Sequence, residues 1–424
     1  MKKPVYVFDV DGVLSDIGMP ISHDVVRELA RLLSSGHYVA INTGRAYDMV
    51  GVKVVELLKS ELRQVNDMSR LYVVTEMGGV VCDYEDGEPR CVRTRFKLSK
   101  KDITRAVRII ENKAYESMYS YTKVSMATAR KNDNATQEAF LVQRDALIAD
   151  LNRAFPKGAY TVQATVESVD VHAAQAGKQA GAELIYGWLQ QISDVNNAEF
   201  ICFGDSKGDY EMARWYAQQG LQTRFVYTGN NLELSDPHDG VEVIDTTGLY
   251  TAGTLAYLRE IATEKRQPIF DLLAELQIDY RLQEHRAVYT VAESSGVLPE
   301  KVPVKTLLVT DDKKSQVWMV AMRGDFRLDM KELAKLLLAK KLQFVRAERV
   351  EEIVGVPPGS VSIFGLLHPG SKNVQVIVDQ ALMSEKEIGF HPQDNTATVF
   401  LRPEDLPAII AATGHLYRAM MLSA

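Results

Sequence analysis

From Pro4 to about Thr75 short apolar runs alternate with amphipathic stretches: VYVFDV, then HDVVRELARLLSSG closed by Gly36, then YVAINTG, a helical stretch, and LYVVTE. Apolar runs bounded by turn residues predict buried strands, and the 3.6-residue pattern between them predicts helices, which together make the βαβ rhythm of a parallel sheet. The rhythm resumes near Lys178 with AGAELIYGWLQQI, AEFICFGD, a helix through Met212 and TRFVYTG. Between the two parts, residues from about Val81 to Asp170 mix alternating strands, such as GEPRCVRTRFKL and YTVQATVESVDVH, with helices. That mixture predicts an α+β cap inserted into the first fold, able to close over a cleft.

After GLYTAGTLAYLREIATEKRQP the charged stretch ending at Pro268 reads as a linker, and a different pattern follows. It holds a helix DLLAELQI, a hairpin KTLLVT-DDKK-SQVWMVAM, a helix DMKELAKLLLAKK, and the strands SVSIFGLL, VQVIVDQAL and TATVFL. The expected organisation is a parallel-sheet core over residues 1–80 and 171–262, a cap over 81–170, and a second α+β domain over 268–424.

Composition agrees with this division: 424 residues with 46% hydrophobic and 25% charged positions exceed what one core organises, so two or three domains are expected. Cys82, Cys91 and Cys202 are few and scattered, without metal-ligand spacing, and read as thiols in a reducing compartment. No apolar run approaches the roughly 18 residues of a membrane span, so a soluble, cytoplasmic protein without a membrane partner is expected. The net charge of −7 argues against blanket affinity for nucleic acid, although residues 265–424 are balanced at about 20 basic and about 20 acidic.

The chemistry gathers at predicted strand ends. VYVFDVDGVL delivers Asp9 and Asp11 into a loop opened by Gly12, at the carboxyl edge where open α/β sheets bind ligands. Two neighbouring carboxylates require a cation or a retained proton, and either suits phosphoryl transfer, with one attacking phosphorus and the other protonating the leaving oxygen. YVAIN ends in Thr43-Gly44-Arg45, where a hydroxyl and backbone N–H groups can hold phosphate oxygens. Lys178 opens a helix, where ammonium and helix terminus together favour an anion. EFICFGD brings Asp205, followed by Ser206-Lys207-Gly208-Asp209, adding hard oxygen ligands for Mg²⁺. Alone, each motif also reads as an acidic turn, a tight turn, a solvated lysine or a helix cap. Cap residues such as Lys123, Arg130 and Arg153 could contact the substrate under the cap, although each reads first as solvated surface charge.

The ordered set DVDGVL, NTGR, lysine helix and GDSKGD resembles the haloacid dehalogenase superfamily of phosphatases, over about residues 1–262. With the insertion between the threonine and lysine motifs, it is similar to the subgroup with the larger, C2-type cap, which includes many sugar-phosphate phosphatases. The resemblance implies Asp9 as nucleophile, Asp11 as general acid and then base, and Thr43, Gly44 and Lys178 as phosphate clamps. It implies Mg²⁺ held by Asp9, Asp205 and the Asp11 backbone carbonyl, with Asp209 in support, and a small phosphorylated substrate. Gly208 departs from the family by standing where many relatives carry Asn.

In the second domain Lys305 opens the strand KTLLV, the GVPPG part of GVPPGSVSIFGLL packs two prolines and two glycines before a strand, and His391 sits in GFHPQDNTATV. A strand-edge Lys is usually solvated and a His beside Pro usually structural. Together, VKTLLVTD, GVPPGSVSIFGLL and GFHPQDNTATVFL resemble the prolyl-tRNA editing domain family, over about residues 265–424. That resemblance implies tRNA as partner and hydrolysis of an aminoacyl ester, with alanine on proline tRNA as the substrate. Lys305 and His391 would serve the reaction, and the Gly359 loop, His391 and Asn395 would shape a small amino-acid pocket. Ile363 stands where the family loop usually has Pro. The combined expectation is a fusion of two hydrolases; the alternatives are a phosphatase with a non-catalytic tRNA- or protein-binding appendage, and a phosphomutase core.

Overall fold

The computed structural model describes residues 3–422, apart from 63, 166–167, 193–194, 196–197, 235–236 and 286–303. Two compact units result, Met1–Leu258 and Arg259–Ala424. The first unit begins β1 (Val5–Phe8), α1 (His23–Ser34), β2 (Tyr38–Asn42), α2 (Tyr47–Glu61), β3 (Leu71–Thr75), β4 (Val80–Glu85) and β5 (Glu88–Arg93). It continues with α3 (Lys100–Ile110), β6 (Met118–Thr122), β7 (Ala127–Lys131), α4 (Gln137–Ala154), β8 (Tyr160–Ala164) and β9 (Ser168–Ala173). It closes with α5 (Lys178–Ile192), β10 (Phe200–Gly204), α6 (Lys207–Gln218), β11 (Thr223–Tyr227), β12 (Val241–Asp245) and the start of α7 (Tyr250–Glu275).

Among the described residues the main sheet has eight strands, ordered β12-β11-β10-β1-β2-β3-β4-β5. From β12 to β3 the pairing is parallel. The sequence of β1, VYVF, is buried at every position, as expected of a parallel strand covered on both faces. Because β1 lies between β2 and β10, the carboxyl ends of all three sit side by side, and the residues that follow them meet at one edge.

The cap has a four-stranded antiparallel sheet, ordered β6-β7-β9-β8. Val169 and Val171 of β9 pack with Ile110 of α3 and Phe140, Leu147 and Leu151 of α4. Strand alternation then turns Asp170 and His172 to the other face. Residues 81–93, expected in the cap, instead continue the main sheet as the antiparallel pair β4 and β5.

The cysteine expectation also fails: Cys82 and Cys91 are bonded to each other, and only Cys202 is free among the described residues. The two are directly opposed across the β4–β5 hairpin with Cα atoms 4.1 Å apart. Direct cross-strand neighbours have side chains close enough to bond, a proximity that spacing along the chain does not reveal.

Residues Thr263–Pro268, expected as a linker, are helical. They lie inside α7, and the boundary between the units also falls within that helix. Helix formers such as Ala, Glu, Lys, Arg and Leu surround the charges there, and their apolar positions, including Ile269 and Leu273, are buried in the second unit. One proline did not end the helix.

The second unit follows α7 with β13 (Arg281–Glu284), β14 (Val304–Asp311), β15 (Val317–Arg323), α8 (Met330–Leu336), β16 (Leu342–Phe344) and α9 (Ala347–Val354). Then come β17 (Val374–Asp379), β18 (Ile388–Phe390), β19 (Ala397–Leu401), α10 (Leu406–Ala412) and β20 (Tyr417–Met420). Its described sheets are ordered β16-β14-β15-β17-β20 and β13-β19-β18. The expected strand SVSIFGLL is instead a 3₁₀ turn over Ile363–Leu367. The Ser362 hydroxyl accepts the Phe364 N–H at its start, which closes a turn where a strand would extend.

Arg266 of α7 fixes the loop before β19. Its Nε donates to Asp394 at 2.7 Å and its Nη2 donates to Asp394 at 3.2 Å and to the Thr396 hydroxyl at 3.0 Å. Burial alone would raise the Asp394 carboxyl, but the guanidinium's bonds and charge hold it below the usual carboxylate range. A carboxylate depressed in the folded state contributes stability above its unfolded pKa, about 4, and loses it as pH falls further. Arg266→Met strands this buried charge, and thermal unfolding should show a loss of about 3–5 kcal/mol. Pairing it with Asp394→Leu should restore most of the loss.

Candidate active sites

In the first unit, Asp9 follows β1 with its N–H bonded to the Phe203 carbonyl of β10, and its side chain is buried. Asp205 follows β10, and Asp209 sits in the first turn of α6. One carboxylate oxygen from each of Asp9, Asp205 and Asp209 lies within 4.8 Å of the others. The Asp209 carboxylate is committed twice over. Its Oδ2 accepts the N–H and hydroxyl of Ser206 at 3.1 and 2.6 Å, capping α6, and its Oδ1 meets the Lys178 ammonium at 2.6 Å.

Lys178, expected as a solvated helix-start lysine when taken alone, is enclosed. Its Nζ also contacts Asp9 at 2.5 Å and donates to the Asn42 carbonyl at 2.7 Å. Burial would lower its pKa, but Asp209 and Asp9 more than offset that, so the ammonium stays charged. Asn42 returns the grip by donating from Nδ2 to the Lys178 carbonyl at 2.8 Å. This clamp was missed in the sequence because Asn42 reads as the last residue of an apolar strand.

Burial pushes the Asp9 carboxyl up to about 8 despite Lys178, and Asp209 adds to the rise. Burial, then Asp209, pushes Asp205 up to about 7. Three acids around one lysine leave excess negative charge in a dry site, and a hard divalent cation bound by those oxygens would offset it. The donor set therefore fits Mg²⁺. Gly12 belongs to the same construction: its φ is +71°, and a Cβ there would sit 2.3 Å from Asp205 Oδ2.

The other expected residues stand around this cluster. Thr43 is buried after β2, with its hydroxyl accepting the Arg45 N–H at 3.2 Å. Asp11 is not in the acidic cluster. Its carboxylate is held by Arg45, through Nε at 2.8 Å and also through Nη2.

Beside Gly44 the cap meets the core. Lys123 is buried rather than solvated, donating to the Gly44 carbonyl at 2.9 Å with Asp170 at 3.8 Å. Glu76, with φ of +52°, accepts the Ser125 N–H and hydroxyl at 2.7 and 2.5 Å and the Val124 N–H at 3.2 Å. On the cap sheet Asp170 accepts the hydroxyl of Thr128, its direct cross-strand neighbour. His172 Nδ1 bonds the Ala173 carbonyl at 2.9 Å, so Nδ1 carries the proton and Nε2 is the acceptor. That Nε2 is buried with no hydrogen-bond partner among the described residues. Arg153 is exposed and pairs with Asp150, as expected of surface charge, whereas Arg130 is half-buried and lies 6.0 Å over the Tyr121 ring.

In the second unit Lys305, on β14, donates to the Phe326 carbonyl and to Gly324 at 3.4 Å, and burial lowers its pKa from the usual lysine value. The two loop motifs meet: the Ser362 hydroxyl donates to the His391 carbonyl at 2.6 Å, and Gln393 Nε2 donates to the Phe364 carbonyl at 3.0 Å. His391 Nδ1 bonds the Ala397 carbonyl at 2.9 Å, and burial lowers its pKa, which favours a neutral ring with Nε2 as acceptor. The His285 ring lies 6.0 Å away. Asn395 is buried in the same loop, and Gly359 has φ of +94°.

Each of the two units matches a family of its own. Residues 6–146 match the haloacid dehalogenase-like hydrolase family and residues 284–409 match the aminoacyl-tRNA editing domain family. A prolyl-tRNA editing protein, ProX, from Acetoanaerobium sticklandii is 35% identical over 161 residues, covering 38% of this chain and 98% of that protein. The chain belongs to the prolyl-tRNA editing family through its second unit, and it carries a haloacid dehalogenase-like hydrolase domain ahead of it. The Bos taurus prolyl-tRNA synthetase associated domain-containing protein 1 is 29% identical over 158 residues, covering 36% of this chain and 92% of its own. Among solved structures, the C-terminal domain of the C. albicans trehalose-6-phosphate phosphatase is similar over 62% of this chain and 92% of its own, at 16% identity and a TM-score of 0.44. No helix among the described residues is long and apolar enough to cross a membrane.

Proposed function

We propose that the chain is a bifunctional hydrolase: a Mg²⁺-dependent phosphatase for a small sugar phosphate, joined to a deacylase for mischarged proline tRNA. The observation that carries the first half is the convergence of the Asp9, Asp205 and Asp209 carboxylates around Lys178. A carboxylate oxygen of Asp9 attacks phosphorus and the bond to the leaving oxygen breaks, giving an aspartyl phosphate. Asp11, released from Arg45, gives its proton to the leaving alkoxide. It then takes a proton from water, which attacks the same phosphorus, frees phosphate and regenerates Asp9. Thr43, the Gly44 backbone and Lys178 hold the phosphoryl oxygens. Asp9, Asp205, Asp209 and the Asp11 carbonyl would hold Mg²⁺, which would offset negative charge on the phosphoryl group.

The polar cap face beside Gly44 supports this substrate class. Lys123 is a donor, Asp170 an acceptor and His172 Nε2 an unused acceptor, an array that suits hydroxyls able both to donate and to accept. A phosphate-release screen over sugar phosphates, nucleotides and phosphoglycerates tests this, without added bisphosphate so that a mutase is not mistaken for a phosphatase. Sugar phosphates should turn over best, and Lys123→Ala should raise KM about tenfold or more with a smaller change in kcat. A preferred substrate lacking hydroxyls on its leaving group would refute the class.

For the second half, water attacks the aminoacyl carbonyl and the ribose oxygen leaves, in a site formed by Lys305, His391, Asn395 and the Gly359 loop. The editing relatives support this, as does the hydrogen-bonded union of the Ser362 and His391 loops. Deacylation of Ala-tRNA(Pro) is the test, and Lys305→Ala should lower it on the order of a hundredfold. A folded chain without deacylase activity on any small aminoacyl-tRNA would leave the second unit a non-catalytic appendage.

A further inference from the structure

Charge is unevenly placed along the first unit. Between Arg90 and Lys113 there are nine Lys or Arg against two acidic residues, in a chain whose net charge is −7. The fold sorts several of these cations onto one surface. Lys101, Arg105 and Arg108 are three or four residues apart on α3 and share a helix face with Lys100 nearby. With Arg153 of α4 they line an open groove of about 800 Å³ between the two helices, and all five are exposed. Ala106 and Ile110, on the other side of α3, are buried in the cap core, so the basic face contributes nothing to that core.

The nearby carboxylates do not neutralise this face. Asp102 accepts the Ser99 hydroxyl at 2.6 Å, and Asp150 accepts the Tyr115 hydroxyl and pairs with Arg153. The side chains of Lys100, Lys101 and Arg108 have no carboxylate partner among the described residues. Arg105 lies 5.4 Å over the Phe155 ring, which fixes its guanidinium plane while leaving its N–H groups available. Like charges held side by side without counter-ions cost energy, and such a face is suited to a partner that carries regularly spaced negative charge.

We propose that this groove on the cap binds the phosphodiester backbone of RNA, specifically the tRNA whose aminoacyl ester the second unit hydrolyses. The proposal rests on the editing function argued above. Several cations along one groove match a run of phosphates better than a single phosphate monoester, and the groove opens on the helical side of the cap while Lys123 serves the phosphatase side. The editing unit has balanced charge and little long-range attraction of its own, so a basic groove on the same chain supplies the encounter.

The test uses the full chain and an unacylated proline tRNA transcript, with binding followed by fluorescence anisotropy as salt is varied. Lys100→Gln/Lys101→Gln/Arg108→Gln should weaken binding on the order of a hundredfold near 0.1 M salt and make the slope of log K against log salt shallower by about 2–3. Its turnover of p-nitrophenyl phosphate should match the wild type, which verifies the fold of the first unit. Equal affinity and slope for the two proteins would overturn the proposal, as would groove-dependent binding to phosphatidylserine vesicles with none to tRNA. Deacylation of Ala-tRNA(Pro) by the same proteins separates the two ideas. A raised KM in the triple variant supports the groove, and an unchanged KM overturns it while the editing function stands. Groove-dependent tRNA binding without any deacylation by the wild type would overturn the editing function and keep the groove.

Discussion

Asp9→Asn is expected to lower phosphate-ester hydrolysis by at least on the order of 10⁴-fold, because the amide keeps the shape of the carboxylate but is a far poorer nucleophile. The fold should survive. In the metal-free protein Asp9 has its pKa raised to about 8, so the folded state holds a proton there that the unfolded chain, at about 4, releases. Stability from this group is full below about 4 and is lost as pH rises through about 8, which means that ionised Asp9 opposes folding without a cation. Asparagine removes that opposition. Thermal unfolding in chelator should therefore show the variant at least as stable as the wild type near pH 8, and less sensitive to pH between the two values. A folded variant retaining more than a few per cent of turnover would refute the aspartyl mechanism.

Removing the metal is expected to have the next largest effect. With chelator the Asp9, Asp205 and Asp209 oxygens lie within 4.8 Å of one another with the Lys178 ammonium, paired to Asp9 and Asp209, as the counter-charge among the described residues. Protons then take the place of the cation, since Asp9 and Asp205 have pKa values raised to about 8 and about 7. A protonated Asp9 cannot attack, and the phosphoryl group loses the charge that offsets its own. Activity should fall on the order of a hundredfold or more, a loss of several kcal/mol of transition-state stabilisation. Mg²⁺ in excess of chelator should restore it, whereas Ca²⁺, with longer and less directional bonds, should restore much less. Undiminished activity in chelator would count against the acidic cluster as a metal site. Gly12→Ala offers a geometric counterpart, since its Cβ would displace the Asp205 carboxylate and should raise the Mg²⁺ concentration needed for half-maximal activity.

The residues easiest to read from the sequence were those whose position follows from a strand ending. Asp9 and Asp205 come just after apolar runs and Thr43 just after the strand YVAIN, and parallel pairing of the three strands puts their ends together without further information. Residues that act across large sequence distance were less legible. Lys123 reads as surface charge because the stretch SYTKVSM around it has no apolar run, and its burial depends on the Gly44 carbonyl, 79 residues before it, and on Asp170. The grip of Arg45 on Asp11 and that of Asn42 on Lys178 likewise join separate loops. The disulfide of Cys82 and Cys91 was hidden because their pairing depends on hairpin register, and the helix through Pro268 because a charge cluster before proline looks the same in a linker and on a solvated helix face. In the second unit Ser362 decided between strand and turn with a single hydroxyl.

The central claim is that one chain carries two hydrolytic sites, each built from the residues of its own unit. It is tested most directly by assaying phosphate release and Ala-tRNA(Pro) deacylation on one preparation of the full-length Asp9→Asn protein. The expected result is loss of phosphate release with deacylation at the wild-type rate. Loss of both activities in a protein whose unfolding transition is unchanged would contradict two independent sites.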